Sequence, residues 1–156
     1  MARGYVQNTH ISEFRQMHGA IVDLVGILNR PDRDSRMIEE AGIHLDRALF
    51  SLLVLVGRYG PIGVVELADR VGRDHTTVSR QVSKMEALGL VERQPGARDK
   101  RVREAALSQA GWKMNQAIDA ARDRRMSKML ADWSADDIET LAPLLRKLAD
   151  SALASD

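Results

Sequence analysis

Residues 64–107 read VVELADRVGRDHTTVSRQVSKMEALGLVERQPGARDKRVREAAL, and the punctuation of this stretch decides the fold. Val65, Leu67, Ala68 and Val71 fall on one side of a short helix that Gly72 brings to an end. Asp74 then stands where a carboxylate can accept the free amides of a second helix, beginning near His75 and ending near Leu88, just before Gly89. With successive helical residues about 100° apart, Val78, Val82, Met85 and Leu88 gather on one face, while Thr76, Arg80, Ser83 and Lys84 point away and Ser79 lies on the flank. One face is built for packing and the other is wholly donor or acceptor.

Leu90 and Val91 open a strand, ERQPGARDKR turns on Pro95 and Gly96, and Val102 to Leu107 return as its partner. From Glu92 to Arg103, the cations Arg93, Arg98, Lys100, Arg101 and Arg103 stand against Glu92 and Asp99, a local excess of three positive charges concentrated toward the tip. Arginine bridges two acceptors of a guanine edge, serine and threonine hydroxyls bond bases or phosphate, and a threonine methyl touches thymine. The positive end of the helix dipole favours phosphate at the same place. The pattern therefore reads as a helix-turn-helix with a β-hairpin wing, whose second helix, through Thr76, Thr77, Ser79, Arg80, Ser83 and Lys84, meets the major groove of double-stranded DNA. Arg98, Lys100 and Arg101 of the wing are placed to reach the adjacent minor groove, with Arg101 the leading residue, because narrow A·T-rich stretches there attract arginine. Asp99 is unfavourable beside phosphate and is assigned to orient the wing by pairing with a neighbouring arginine. Taken alone, TTVSRQVSK also fits an ordinary solvated helix face, and Asp99 a solvated turn residue.

The flanks are helical. From Ile11, the positions Phe14, Met17, Ile21, Leu24, Val25 and Leu28 recur at three- and four-residue steps until Pro31 stops them. PDRDSRMIEEAG fits a short polar helix opening on Pro31 and closing at Gly42, or a loop. Leu45 to Tyr59 is apolar almost all round and predicts a buried central helix ended by Gly60 and Pro61. Ser108 caps a helix reaching about Trp133, with Trp112, Ile118, Met126, Met129 and Trp133 read as core. Ser134 and Asp137 make a capping-box start for another that carries Ile138, Leu141, Leu144, Leu145, Leu148 and Ala152. The terminal stripes exceed what the small middle module can cover, which points to a homodimer joined through the ends, with a monomeric helical bundle as the alternative. The expected division is a helical dimerisation region, residues 1–44 and 108–156, around a DNA-binding domain, residues 45–107.

Composition narrows the function classes. The 156 residues suit one compact unit or a fused pair, and 44% hydrophobic with 29% charged residues is ordinary for a soluble globular chain. No apolar run reaches the roughly 20 residues of a membrane span, and the N-terminus lacks the long apolar stretch of a secretory signal, so no membrane partner and a cytoplasmic location are expected. Zero cysteines exclude disulfides, thiolate nucleophiles and cysteine-ligated zinc. A net charge of +1 leaves any polyanion site to local clustering.

ELADRVGRDHTTVSRQVSKMEALGLVERQPGARDKRVREAALSQAG resembles the winged-helix core of the multiple-antibiotic-resistance regulator (MarR) family. Its most specific parts are TTVSRQVSKMEALGLVER, the wing signature Asp99-Lys100-Arg101, and the passage Leu107-Ser108-Gln109-Ala110-Gly111 into a long helix. The resemblance, which extends to the flanking helices, implies a mainly α fold with a β-hairpin wing in an intertwined homodimer. It implies binding to a pseudo-palindromic operator and transcriptional control, usually repression. It puts Arg80 and its neighbours in the major groove and Arg101 in the minor groove, with Asp99 steadying the wing. It also implies a small effector, often aromatic or phenolic, bound between the dimerisation and DNA-binding regions.

His18, on the apolar side of the first helix, and His44 and Arg47, at the start of the buried helix, are the ligand candidates. Each also reads as structural: His18 in a core or interface, His44 capping a loop, Arg47 paired with an acid. The four histidines are dispersed without HExxH, Gly57, Gly60 and Gly63 make no phosphate loop, and no nucleophile elbow occurs, so no metal, cofactor or enzyme activity is expected. Two other functions fit the residues: a sequence-tolerant architectural DNA-binding protein, and a ligand- or metal-sensing helical protein that does not bind DNA.

Overall fold

A computed structural model describes residues 10–97 and 99–154. The elements run α1 (Ile11–Leu28), α2 (Arg33–Glu40), α3 (Arg47–Tyr59), β1 (Ile62–Gly63), α4 (Val64–Val71), α5 (His75–Ala87), β2 (Val91–Pro95), β3 (Arg103–Leu107), α6 (Gln109–Met129) and α7 (Ala135–Leu153). They fall into two compact units, one through Ile118 and one from Asp119.

In the first unit, α3 is the central helix: Leu49, Phe50, Leu52, Leu53 and Val56 are buried, and Asp46 caps its start by accepting the Ala48 N–H at 2.8 Å. Leu67 and Ala68 of α4, Val78, Val82 and Met85 of α5, Leu90, and Val91 of β2 complete the core around it. The wing is an antiparallel ladder, Val91 opposite Leu107 and Pro95 opposite Arg103, and β1 adds to the outer edge of β3 through Ile62 and Ala105. The sheet thus has three strands, not two. A two-residue strand leaves no alternation in the sequence to read, and it forms because the chain between α3 and α4 passes alongside β3.

Helix ends correct the reading of the apolar stripes. Leu88, expected on the buried face of α5, is 55% exposed. The helix has already ended, Gly89 adopts φ 70°, and the Leu90 N–H returns to the Met85 carbonyl at 2.9 Å, so that Leu90 takes the core position instead. Gly72 repeats the device at the end of α4, with φ 63° and the Arg73 N–H on the Ala68 carbonyl. Val65, in the first turn of α4, is exposed, since Leu67 and Ala68 define the buried side. The polar segment after Pro31 is a helix, though it begins at Arg33, two residues beyond the proline.

Along α6, Gly111, Asn115 and Ile118 lie on the buried face, whereas Trp112, Met126 and Met129 are exposed on another. Trp112 and Trp133 are therefore not core residues within one chain. In the second unit, Ser134 and Asp137 form the expected capping box at the start of α7, the Asp137 N–H donating to Ser134 Oγ at 3.1 Å. Neither α1 nor α7 buries a single described residue, and their apolar stripes stand open. No helix among the described residues is long and apolar enough to cross a membrane.

Candidate nucleic-acid interface

Two turns and a ladder set the candidate surface. α4 and α5 are joined by Gly72, Arg73 and Asp74, and Asp74 caps α5 by accepting the Thr77 N–H at 2.8 Å. Hydrogen bonding from the Thr77 side chain, then its backbone, holds the Asp74 carboxyl below its ordinary value of 3.8. Arg73 braces the same turn, its Nη1 donating to the Ala48 carbonyl at 3.3 Å and to Gln81 Oε1 at 3.5 Å.

Packing fixes which face of α5 is left. With Val78, Val82 and Met85 fully buried, Thr76, Thr77, Arg80, Ser83 and Lys84 are exposed and Ser79 is half-buried at the margin. These six predicted contact residues thus share one arc opposite the core. They are not equally free. Arg80 has no hydrogen-bond or ion-pair partner among the described residues, whereas Lys84 Nζ lies 3.2 Å from Asp46 Oδ2. Ser83 Oγ accepts from Arg93 Nη2 at 3.1 Å. The Ala48 N–H, followed by Lys84, holds the Asp46 carboxyl below its ordinary 3.8.

At the wing tip, Asp99, Lys100 and Arg101 are exposed, while Arg98 lies outside the described residues. The expected arginine pairing of Asp99 is absent among the described residues; its Oδ1 instead accepts the main-chain N–H of Arg101 at 2.9 Å. Gly96 permits the tight approach, because a Cβ there would stand 2.7 Å from the Asp99 carbonyl. The charge is distributed differently from the tip-weighted sum. Arg93 turns back to Glu86 and Ser83, and Arg103 Nη2 donates to the Arg93 carbonyl at 3.0 Å, so both belong to the base of the wing. Arg93 is the residue missed by sequence reasoning. The signal available was its inward register, two residues after buried Val91 on the same sheet face.

The three ligand candidates are exposed. His44 and Arg47 flank Asp46 at the start of α3, and His18 lies on α1, with no hydrogen bond or ion pair joining it to them among the described residues. No group of three or more metal-ligating side chains occurs among the described residues.

Comparison with known proteins fits this arrangement. The MarR family model matches residues 45–102. An uncharacterised helix-turn-helix transcriptional regulator of Bacillus subtilis, YxaD, is 31% identical over 105 residues, 67% of this chain and 73% of the relative. The fold is similar to that of a MarR family protein from Bacillus stearothermophilus, with a TM-score of 0.68 and 22% identity over 92% of this chain and 95% of that one. It is also similar to a putative MarR family transcriptional regulator from Listeria monocytogenes complexed with 26mer DNA, at TM-score 0.64 and 22% identity over 83% of this chain and 87% of that one. With its winged core matched by the family model and a relative 31% identical across most of its length, the chain belongs to the MarR family of transcriptional regulators, which are not enzymes.

Proposed function

We propose that the protein is a homodimeric repressor that occupies a pseudo-palindromic operator, inserting α5 of each subunit into the major groove and the wing into the adjacent minor groove. The observation that carries this reading is the polar arc of α5: six side chains able to bond base edges or phosphate stand opposite a fully buried face, and Arg80 has no partner among the described residues. The DNA complex of the Listeria monocytogenes protein supports the same use of the fold here. Residues 45–107 form the DNA-binding domain, and residues 1–44 and 108–156 form the dimerisation region, whose open apolar stripes on α1 and α7 are what a second subunit would cover. Two-fold symmetry then requires half-sites about 10 bp apart or a multiple of that. At the wing, Arg101, with Lys100 and Arg98, supplies the minor-groove cation, and Asp99 presents it.

Operator binding weakens when a small aromatic molecule binds near His44 and Arg47, with His18 contributing from α1. What favours this is the position of Asp46 between the first two, since its carboxylate also holds Lys84 of the reading helix. Selection of bound genomic fragments at fixed salt, followed by gel shift against random DNA, tests the main claim. Discrete palindromic sites are expected. Uniform occupancy would instead identify a sequence-tolerant architectural protein, and no shift at low salt would identify a sensor without DNA binding. Challenge of the bound complex with phenolic compounds tests the effector.

A further inference from the structure

Arg93 leaves the first wing strand toward the reading helix. Its side chain is only 19% exposed, with Nε 3.1 Å from Glu86 Oε2 and Nη2 3.1 Å from Ser83 Oγ. Its own carbonyl accepts Arg103 Nη2 at 3.0 Å, so one residue joins α5, β2 and β3. The planar fork of a guanidinium is what allows one side chain to serve two acceptors at a fixed separation, and a lysine cannot reproduce it.

The consequence falls on Ser83. A serine hydroxyl has one proton to give and two lone pairs. With Arg93 donating to Ser83 Oγ, an acceptor position is occupied and the O–H is polarised as a donor, as happens along any chain of hydrogen bonds. Ser83 is otherwise exposed on the arc that carries Arg80. We infer that Arg93 is a positioning residue for DNA recognition: it holds Ser83 as a hydrogen-bond donor toward an acceptor on DNA, a phosphate oxygen or a base acceptor such as guanine N7 or O6, and keeps the wing in register with the reading helix. This rests on the DNA-binding reading proposed above. Arg93 itself touches no DNA. Glu86 neutralises it, and its side chain is only 19% exposed.

A double-mutant cycle on the full-length protein tests the assignment, using Ser83→Ala, Arg93→Met and the pair, on the selected operator and on random DNA across a salt series. Each single change is expected to weaken operator binding by about two- to tenfold, the range of one neutral hydrogen bond, and the pair to weaken it no more than the worse single. The salt slope should not change with Arg93→Met, because no phosphate contact is lost. A base acceptor will appear as an altered preference at one operator position, the same for both single variants. A phosphate acceptor will appear as equal loss on every sequence, abolished by a neutral methylphosphonate at one position. Arg93→Lys keeps the cation and the aliphatic stem and guards against misfolding of Arg93→Met: in its background Ser83→Ala should cost less than in the wild type. Additive losses, or a salt slope reduced by about one, overturn the inference while the wild type still selects its operator. A wild type that selects no sequence overturns the DNA-reading proposal and this inference with it.

Discussion

Arg80 stands on the arc of α5 opposite fully buried Val78, Val82 and Met85, without a partner among the described residues, so its guanidinium is available for a guanine edge. Arg80→Ala is expected to cost about 1–3 kcal/mol on the selected operator and to relax preference at one base pair, with a smaller loss on random DNA. Equal losses on both, measured by competition gel shift, would remove it from base reading. Lys84 is different, since it must exchange Asp46 for a phosphate. Asp46→Asn should therefore tighten DNA binding at low salt with little loss of stability, since asparagine keeps the cap on α3, and the two effects are separable by titration and thermal unfolding. The Asp74 carboxyl is held low by Thr77, so its contribution to α5 is present above the unfolded value of 3.8 and disappears as pH falls through the lower folded value. The acid limb of unfolding should flatten in Asp74→Asn, which removes that titration. At this scale the outward arc was legible because the 3.6-residue period separates it from the apolar positions. The partners were not: the distant Asp46 carboxylate and the Arg93 fork become neighbours of α5 only when α3 and the wing pack onto it.

Between α5 and the wing, a single residue sets the register. Gly89 at φ 70° lets the helix close on itself and deliver Leu90 to the core, and a Cβ there would meet nothing within 4 Å. The penalty of Gly89→Ala is thus purely conformational, about 1–2 kcal/mol, as expected for a left-handed alanine. Denaturant unfolding should show this loss in the midpoint with little change in slope, and Gly89→Asn should recover part of it. The glycine, the cap at Asp74 and the ladder beyond Val91 were all readable as punctuation. The sequence period puts Leu88 on the buried face because it carries no mark of where the helix stops: Leu88 and Leu90 are both leucine, and only the left-handed turn between them decides which is buried. The strand at Ile62 was unreadable for another reason, since two residues have no period and their pairing with Ala105 is a contact remote in sequence.

For the whole molecule, the decisive quantity is apolar surface that one chain does not cover. Leu24 and Val25 on α1, and Leu144, Leu145 and Leu148 on α7, are between 40% and 57% exposed, as are Trp112 and Trp133. Stripes of this length were visible as periodicity, but periodicity reports that a face is apolar without saying whether it meets its own chain or another. The proposed dimer makes that distinction measurable. Its interface should be of the obligate class, burying about 2,000 Å² or more in total, so unfolding should shift to higher temperature as protein concentration rises. If the tryptophans lie within it, their emission should move to shorter wavelength over the same concentration range. Leu145→Glu puts a charge into the proposed interface without altering the lobe that carries α5. It should yield a monomer by sedimentation and lose operator binding far more than random-DNA binding, because each lobe keeps its own phosphate contacts while the energy of the second half-site is no longer tied to the first. A Leu145→Glu protein that remains dimeric and keeps full operator affinity would show that α7 is not part of the contact, leaving the α1 stripe as the face to test by the matching Leu24→Glu substitution.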